Sequence, residues 1–300
     1  MDFFINSLYR YTGEVLTEPT NIFVTDHHYD ELNDVWPLQQ LLDRSTCDPE
    51  EHTLHFDMLV HDDRFAQYNP ICEPWTMEWL QSEFEEENIV PDWTNKTVPF
   101  NFMINKQRPH RIKLLKMIED AQLTDFTYSL PWLNNQYSNV KPTNYMIGTE
   151  IQLETSIRFG SIRNSTTYKQ LLQKNVFEPS CISLITEPTY IEKEAQLSEK
   201  TIMAIYGGTI PIYVGGWRSA DALRILGFDV FDDIVDHSYE TLEDPWDRIT
   251  QAFELNIDLL KGFTISDTIL QRMQCNLDLL TDGVFRKSLK HFEGIMWPNQ

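Results

Sequence analysis

The sequence predicts an α/β chain of two Rossmann-like domains facing each other across a cleft. Apolar, β-branched runs alternate with amphipathic helical stretches, as in βαβ units with parallel sheets. The alternation breaks around residues 90–97 and then restarts. The 300 residues, 41% hydrophobic and 12% aromatic, are long for one compact core and sufficient for two.

In chain order, "NIFVTDHH" (21–28) reads as a strand ending in polar residues, and "YDELNDVWPLQQLLDRS" as a helix broken or kinked at Pro37. "HTLHFDMLVHDD" (52–63) alternates like a strand. "EPWTMEWLQSEFEEENI" (73–89) is an acidic amphipathic helix with Trp75, Trp79 and Phe84 towards its buried side. Pro91 and its polar neighbours mark the domain boundary. Beyond it, "VPFNFMIN" (98–105) is a strand and "RPHRIKLLKMIEDAQL" (108–123) a helix, its inner face expected from Ile112, Leu115, Met117 and Ile118. "CISLITEP" (181–188) is a buried strand. "LSEKTIMAIYGGTIPIYVGG" (197–216) gives a helix, a glycine pair and a second strand, and "SADALRILGF" (219–228) a helix ending at Gly227. From Pro245 onward the chain reads as helices. The expected division is 1–95 for the first domain, 96–260 for the second, and 261–300 for helices able to cross back to the first.

With 24 Lys and Arg against 46 Asp and Glu, the net charge is −22. Such a surface repels phosphate backbones, so nucleic acid is excluded as an expected partner, and an anionic ligand needs a local basic pocket. Four cysteines without CxxC or zinc spacing fit reduced thiols and a cytoplasmic location. No signal peptide and no membrane span are expected. The fingerprints GxGxxG, GxxxxGK[ST], GxSxG and HExxH are absent, and no Asp-x-Asp pair occurs to hold a metal diphosphate.

Three constellations carry chemistry. "INKQRPHRIKLLKMI" (104–118) sets Lys106, Arg108, His110, Arg111 and Lys113 at a strand-to-helix junction, where free N–H groups and the helix dipole favour an anion. A solvated basic helix face is the alternative. Ser198-Glu199-Lys200 opens a helix: the serine cap and first-turn glutamate are ordinary, whereas Lys200 opposes the dipole and calls for a diphosphate or simple exposure. Glu187 ends an apolar strand at its carboxyl end, where ligands of open α/β sheets bind. Glu187 or Glu199 can accept from ribose hydroxyls; a rim carboxylate is the other reading.

The run "SEKTIMAIYGGTIPIYVGG" resembles the donor-site signature of the α-1,3-fucosyltransferase family, which reads Thr-Glu-Lys, a helix, then "IPIY" or "VPVV" and a glycine. Ser198 stands for the threonine, while Glu199, Lys200 and "TIPIY" (209–213) match. The family's Glu-Asn strand end is Glu187-Pro188 here, and its asparagine followed by a helix-opening arginine corresponds to Asn105 and Arg111. More loosely, "FVTDHH" resembles the family's Thr-Gly-Glu-Asn, with Asp26 or His27 at the glutamate. The likeness covers about 98–120 and 181–216. Similar stand-alone proteins occur in large DNA viruses and phages.

The resemblance implies a GT-B glycosyltransferase that inverts the anomeric carbon, needs no metal or other cofactor, and moves a monosaccharide from GDP-fucose, or a UDP-xylose type donor, to a hydroxyl of a glycan or glycoprotein. Donor contacts fall to Asn105, Lys106, Arg108, Arg111, Glu187, Glu199 and Lys200. The catalytic base falls to Asp26, with His27 second. The alternative is a non-catalytic nucleotide-sugar or glycan-binding protein; an epimerase is disfavoured because the NAD fingerprint is missing.

Overall fold

In a computed structural model of the chain, the described residues are 2–5, 15–24, 37–56, 59–60, 67–68, 71–72, 90–104, 108–129, 149–150, 176–187, 190, 194–195, 197–214 and 217–282. Eleven strands are found among them: β1 Asp2–Ile5, β2 Asn21–Val24, β3 Thr53–Phe56, β4 Leu59–Val60, β5 Ile71–Cys72, β6 Val98–Met103, β7 Phe126–Ser129, β8 Thr149–Glu150, β9 Ser180–Ile185, β10 Glu194–Ala195 and β11 Ile210–Tyr213. The helices are α1 Pro37–Leu42, α2 Pro109–Asp120, α3 Glu199–Tyr206, α4 Ser219–Ile225, α5 Pro245–Leu255, α6 Ile257–Lys261 and α7 Asp267–Thr281.

The α/β class holds, with two parallel sheets. The first has order β1-β2-β3-β5, every pair parallel. The second has order β11-β9-β6-β7-β8, again all parallel. Numbered along the chain, its strands stand 3-2-1-4-5, so the order reverses between β6 and β9. The carboxyl ends of that pair form the crevice in which open α/β sheets take ligands. A two-residue antiparallel pair, β4 with β10, joins residues of the first half to the second.

The second sheet is covered on both faces. Phe100, Phe102, Ile104, Ile182, Leu184, Ile210 and Ile212 face a cluster with α2, α5 and α6. Met103, Ile185 and Tyr213 face the other, with α3 and α4. Helix α7 serves both, through Ile269 and Met273 on one side and Leu277 and Leu280 on the other. Across the sheet runs a buried polar ladder: Asn101 Nδ2 donates to Ser183 Oγ at 2.9 Å, which lies 2.7 Å from Thr209 Oγ1.

Both glycine-ended helices stop in a Schellman motif. In α3, Gly208 (φ 57°) and Thr209 donate to the carbonyls of Ile205 and Ala204 at 3.1 and 3.0 Å. In α4, Gly227 (φ 91°) and Phe228 donate to Arg224 and Leu223 at 3.0 and 2.9 Å. The α3 motif is what turns the chain from helix directly into β11.

The structure rotates α2 from its expected face. His110, Arg111, Leu114 and Ile118 are buried, while Ile112, Leu115 and Met117 are only partly so. Two polar side chains point inward because carbonyl oxygens after β9 receive them. The boundary segment is also more firmly held than a linker. Trp93 Nε1 donates to the Tyr206 carbonyl at 2.8 Å, and Lys96 Nζ donates to Ser180, Gly207 and Phe177 carbonyls at 2.9, 2.5 and 3.4 Å. The ammonium's three N–H groups thus each have an acceptor. Burial, opposed by Cys181 and Glu178, pulls the Lys96 pKa down to about 7. Residues 73–89, expected to be helical, lie outside the described residues, as does everything after Asp282.

Candidate functional site

At the switch point, α2 opens beside the end of β6. Arg108 is its extended N-cap and Pro109 its first residue, a position where the missing N–H costs nothing and φ is already helical. The next two side chains turn in towards the segment after β9. Arg111, 3% exposed, donates from Nη2 to the Thr186 carbonyl at 3.0 Å. His110 is fully buried, with Nε2 3.1 Å from the Glu187 carbonyl and its ring against Tyr190 at 4.4 Å between centroids. A carbonyl only accepts, so Nε2 carries the proton and Nδ1, which has no partner, is the acceptor nitrogen. Burial, helped by the charges of Arg111 and Arg108, holds His110 well below the usual histidine range. The sequence reading as a basic member of the junction is therefore corrected: His110 is a neutral side chain. Arg111 is drawn down to about 10 by burial and by Arg108, against Glu187 and Glu199, and stays charged at neutral pH.

Glu187 follows the six buried residues of β9 and is 1% exposed. Its Oε1 accepts from Ser198 N at 3.0 Å and from Thr201 Oγ1 at 3.4 Å, while Oε2 has no partner. Burial pushes its carboxyl up, with Lys200 pulling the other way. The carboxylate thus acts as an outer cap on α3, satisfying an N–H at the helix start. Ser198 is the N-cap proper: its Oγ accepts from Lys200 N at 3.3 Å. Lys200, 5% exposed, reaches Glu199 Oε1 at 2.7 Å and Ser198 Oγ at 3.4 Å. Burial alone would raise Glu199; the ion pair with Lys200 and the charge of Arg111 bring it below the usual carboxylate range.

The structure therefore gathers Arg111, Glu187, Glu199 and Lys200 at one crevice, with Arg108 half-buried beside them. Asn105 and Lys106 lie outside the described residues, as do Asp26 and His27. Lys113 is engaged elsewhere, donating to the Trp246 carbonyl at 3.1 Å with its ammonium 5.3 Å from that indole. Sequence reasoning missed Thr186, Tyr190, Thr201 and Tyr213, which contact Arg111, His110, Glu187 and Thr201 in turn; a lone threonine or tyrosine carries no spacing signal. Arg248, fully buried, supports the arrangement by donating to the Tyr190 carbonyl at 2.7 Å.

An open surface pocket of about 510 Å³ lies away from this crevice, lined among others by Asp221, Arg224, Asp232, His237 and Glu240. Among the described residues, no cluster of His, Cys, Asp or Glu is arranged to hold a metal ion, and no helix is long and apolar enough to cross a membrane. Chemically, the crevice offers cationic side chains and a helix N-terminus to an anion, and carboxylates to hydroxyls.

No protein-family model and no curated protein matches the chain. Among solved structures, the DNA modifying enzyme β-glucosyltransferase, studied with and without uridine diphosphoglucose, aligns with a TM-score of 0.42 and 12% identity over 91% of this chain and 71% of that one. A T4 phage BGT mutant in complex with UDP-glucose aligns at 0.41 and 13% over the same shares.

Proposed function

We propose that the chain is a glycosyltransferase of GT-B arrangement, moving a monosaccharide from a nucleoside diphosphate sugar to an acceptor hydroxyl without a metal ion. The observation that carries this reading is the pair of buried cations, Arg111 and Lys200. They enter from two strand-to-helix junctions on either side of the β6/β9 switch point, in a chain of net charge −22. Buried cations are retained where an anion or a fixed acceptor compensates their desolvation. Arg111 can grip a phosphate with two hydrogen bonds, and Lys200 acts as a compact charge. Glu199 is the ribose ligand, and Arg108, Asn105 and Lys106 support the diphosphate side. The absence of an Asp-x-Asp pair, together with these cations, supports metal independence.

In the reaction, the acceptor hydroxyl attacks the anomeric carbon from the face opposite the leaving diphosphate, inverting it. Asp26, or His27 in second place, takes the hydroxyl proton, and the negative charge on the departing phosphate falls to Arg111 and Lys200. GDP-fucose and UDP-xylose type donors are the first candidates, from the resemblance of residues 198–213, and a glycan hydroxyl is the first acceptor.

A thermal-shift and calorimetric screen of GDP, UDP, dTDP and their sugars tests the donor. An acceptor panel of glycans, with duplex DNA as a separate arm, tests transfer. Arg111→Ala and Lys200→Ala should each weaken the nucleotide that binds by about tenfold or more, since hydrogen bonds to charged groups contribute roughly 1.5–3 kcal/mol. Unchanged affinity in both variants would remove the diphosphate from this crevice. Binding without turnover against any acceptor would favour the sugar-nucleotide-binding alternative.

A further inference from the structure

We infer that a buried hydroxyl relay, Tyr213–Thr201–Glu187, positions the Glu199–Lys200 pair for the donor, so that Thr201 and Tyr213 set nucleotide affinity without touching the nucleotide. This rests on the reading of Lys200 as a diphosphate ligand.

The relay begins at the last residue of β11. Tyr213 is 1% exposed, and its Oη donates to Thr201 Oγ1 at 3.1 Å. Thr201, in the first turn of α3 and also 1% exposed, donates from Oγ1 to Glu187 Oε1 at 3.4 Å. The directions follow from the contacts: Glu187 Oε1, which already accepts from Ser198 N, takes the single threonine proton, and the threonine oxygen takes the tyrosine proton. The same Glu187 oxygen accepts from Ser198 N at 3.0 Å, and Ser198 Oγ accepts from Lys200 N at 3.3 Å and Nζ at 3.4 Å. Two strand ends and a helix cap are thereby joined in one series that terminates on the ammonium.

Each group in the series has few alternatives. The described structure gives Glu187 two donors, both on Oε1, with Oε2 unpartnered. Removing the Thr201 hydroxyl takes away one of the two and strands the Tyr213 hydroxyl in an apolar cluster. Buried networks polarise along their length, so loss of one link weakens the others. The lysine side chain has four rotatable bonds and is held for phosphate only while its Ser198 and Glu199 contacts stay fixed. Thr201 and Tyr213 are accordingly positioning residues.

The test is calorimetric titration of UDP and GDP into the wild-type chain, Thr201→Val, Thr201→Ser, Tyr213→Phe, Lys200→Ala and the Thr201→Val/Lys200→Ala double variant, with thermal unfolding as the folding control. Thr201→Val and Tyr213→Phe should each weaken the nucleotide that binds by about fivefold. Thr201→Ser, which keeps the hydroxyl, should restore wild-type affinity. Thr201→Val should cost nothing further once Lys200 is alanine, because its effect runs through that side chain. If Thr201→Val does not fold, Tyr213→Phe, which deletes a single oxygen, decides. Wild-type affinity in Thr201→Val and Tyr213→Phe alongside a loss in Lys200→Ala overturns the relay and leaves the donor site standing. Additive losses in the double variant also overturn it. No loss in Lys200→Ala, or no binding of either nucleotide to the wild-type chain, overturns the donor site and the relay with it.

Discussion

Lys200 sits in the second position of α3, where the helix dipole disfavours a cation, and its ammonium lies 2.7 Å from the carboxylate next to it in sequence. Adjacent helical residues do not ordinarily face each other, so this pairing was not legible in the sequence, although the oddity of the lysine was. The same holds for His110: its basicity was legible, but its neutrality comes from burial beside Arg111 and Arg108, against the pull of the Glu187 carbonyl 77 residues away. A third buried ionisable group lies outside the crevice. Glu240, 2% exposed, accepts from Ala220 N at 2.9 and 3.1 Å with its two oxygens, and burial pushes its pKa up to about 8. The folded state therefore holds this proton more tightly than the unfolded chain, whose glutamate titrates near 4.5. The stability it contributes is complete below about pH 4.5 and is lost as pH rises towards 8. Glu240→Gln should flatten the fall in stability between pH 5 and 8, measured by urea unfolding at several pH values; an identical slope in the variant would show that Glu240 is not buried in a proton-binding state.

At the scale of elements, the second sheet was the more legible half. β6, β9 and β11 are apolar runs bounded by clear breakers, and α3 and α4 carry a serine cap or a terminal glycine. β7 was not foreseen, because four residues reading Phe-Thr-Tyr-Ser are too short for a period. The two-residue pair β4 with β10 has no sequence signal at all, since it exists only through a tertiary meeting of distant segments. The α3-to-β11 turn gives a sharp expectation. Gly208 has φ 57°, and a Cβ there would lie 2.5 Å from the Trp93 ring. Gly208→Ala combines a left-handed alanine with this clash and should cost on the order of 2–4 kcal/mol, read from urea unfolding. A loss below about 0.5 kcal/mol, the size of a neutral surface change, would mean that Trp93 does not pack on this turn.

For the whole molecule, the segment between the two sheets is fastened to the second one. Trp93→Ala removes both the indole packing on Gly208 and the hydrogen bond to Tyr206, and should destabilise the second sheet by about 2–4 kcal/mol. Hydrogen exchange should show the loss concentrated in α3 and β11; loss confined to the first sheet would contradict the attachment. Turnover, once a donor and acceptor are found, should survive EDTA at full rate; activity abolished by chelation and restored by manganese would refute metal independence. The topology of the second sheet has a further consequence, for biosynthesis. β6 pairs with β9, and the Asn101–Ser183 hydrogen bond spans 82 positions. β7 can cover one edge of β6 early, but a ribosome adding about 5–20 residues per second leaves the other edge open for several seconds before β9 is made. During that interval the open edge should make the nascent chain a substrate for holding chaperones, and slowing translation between residues 104 and 180 should lower the soluble yield while leaving the stability of the finished protein unchanged.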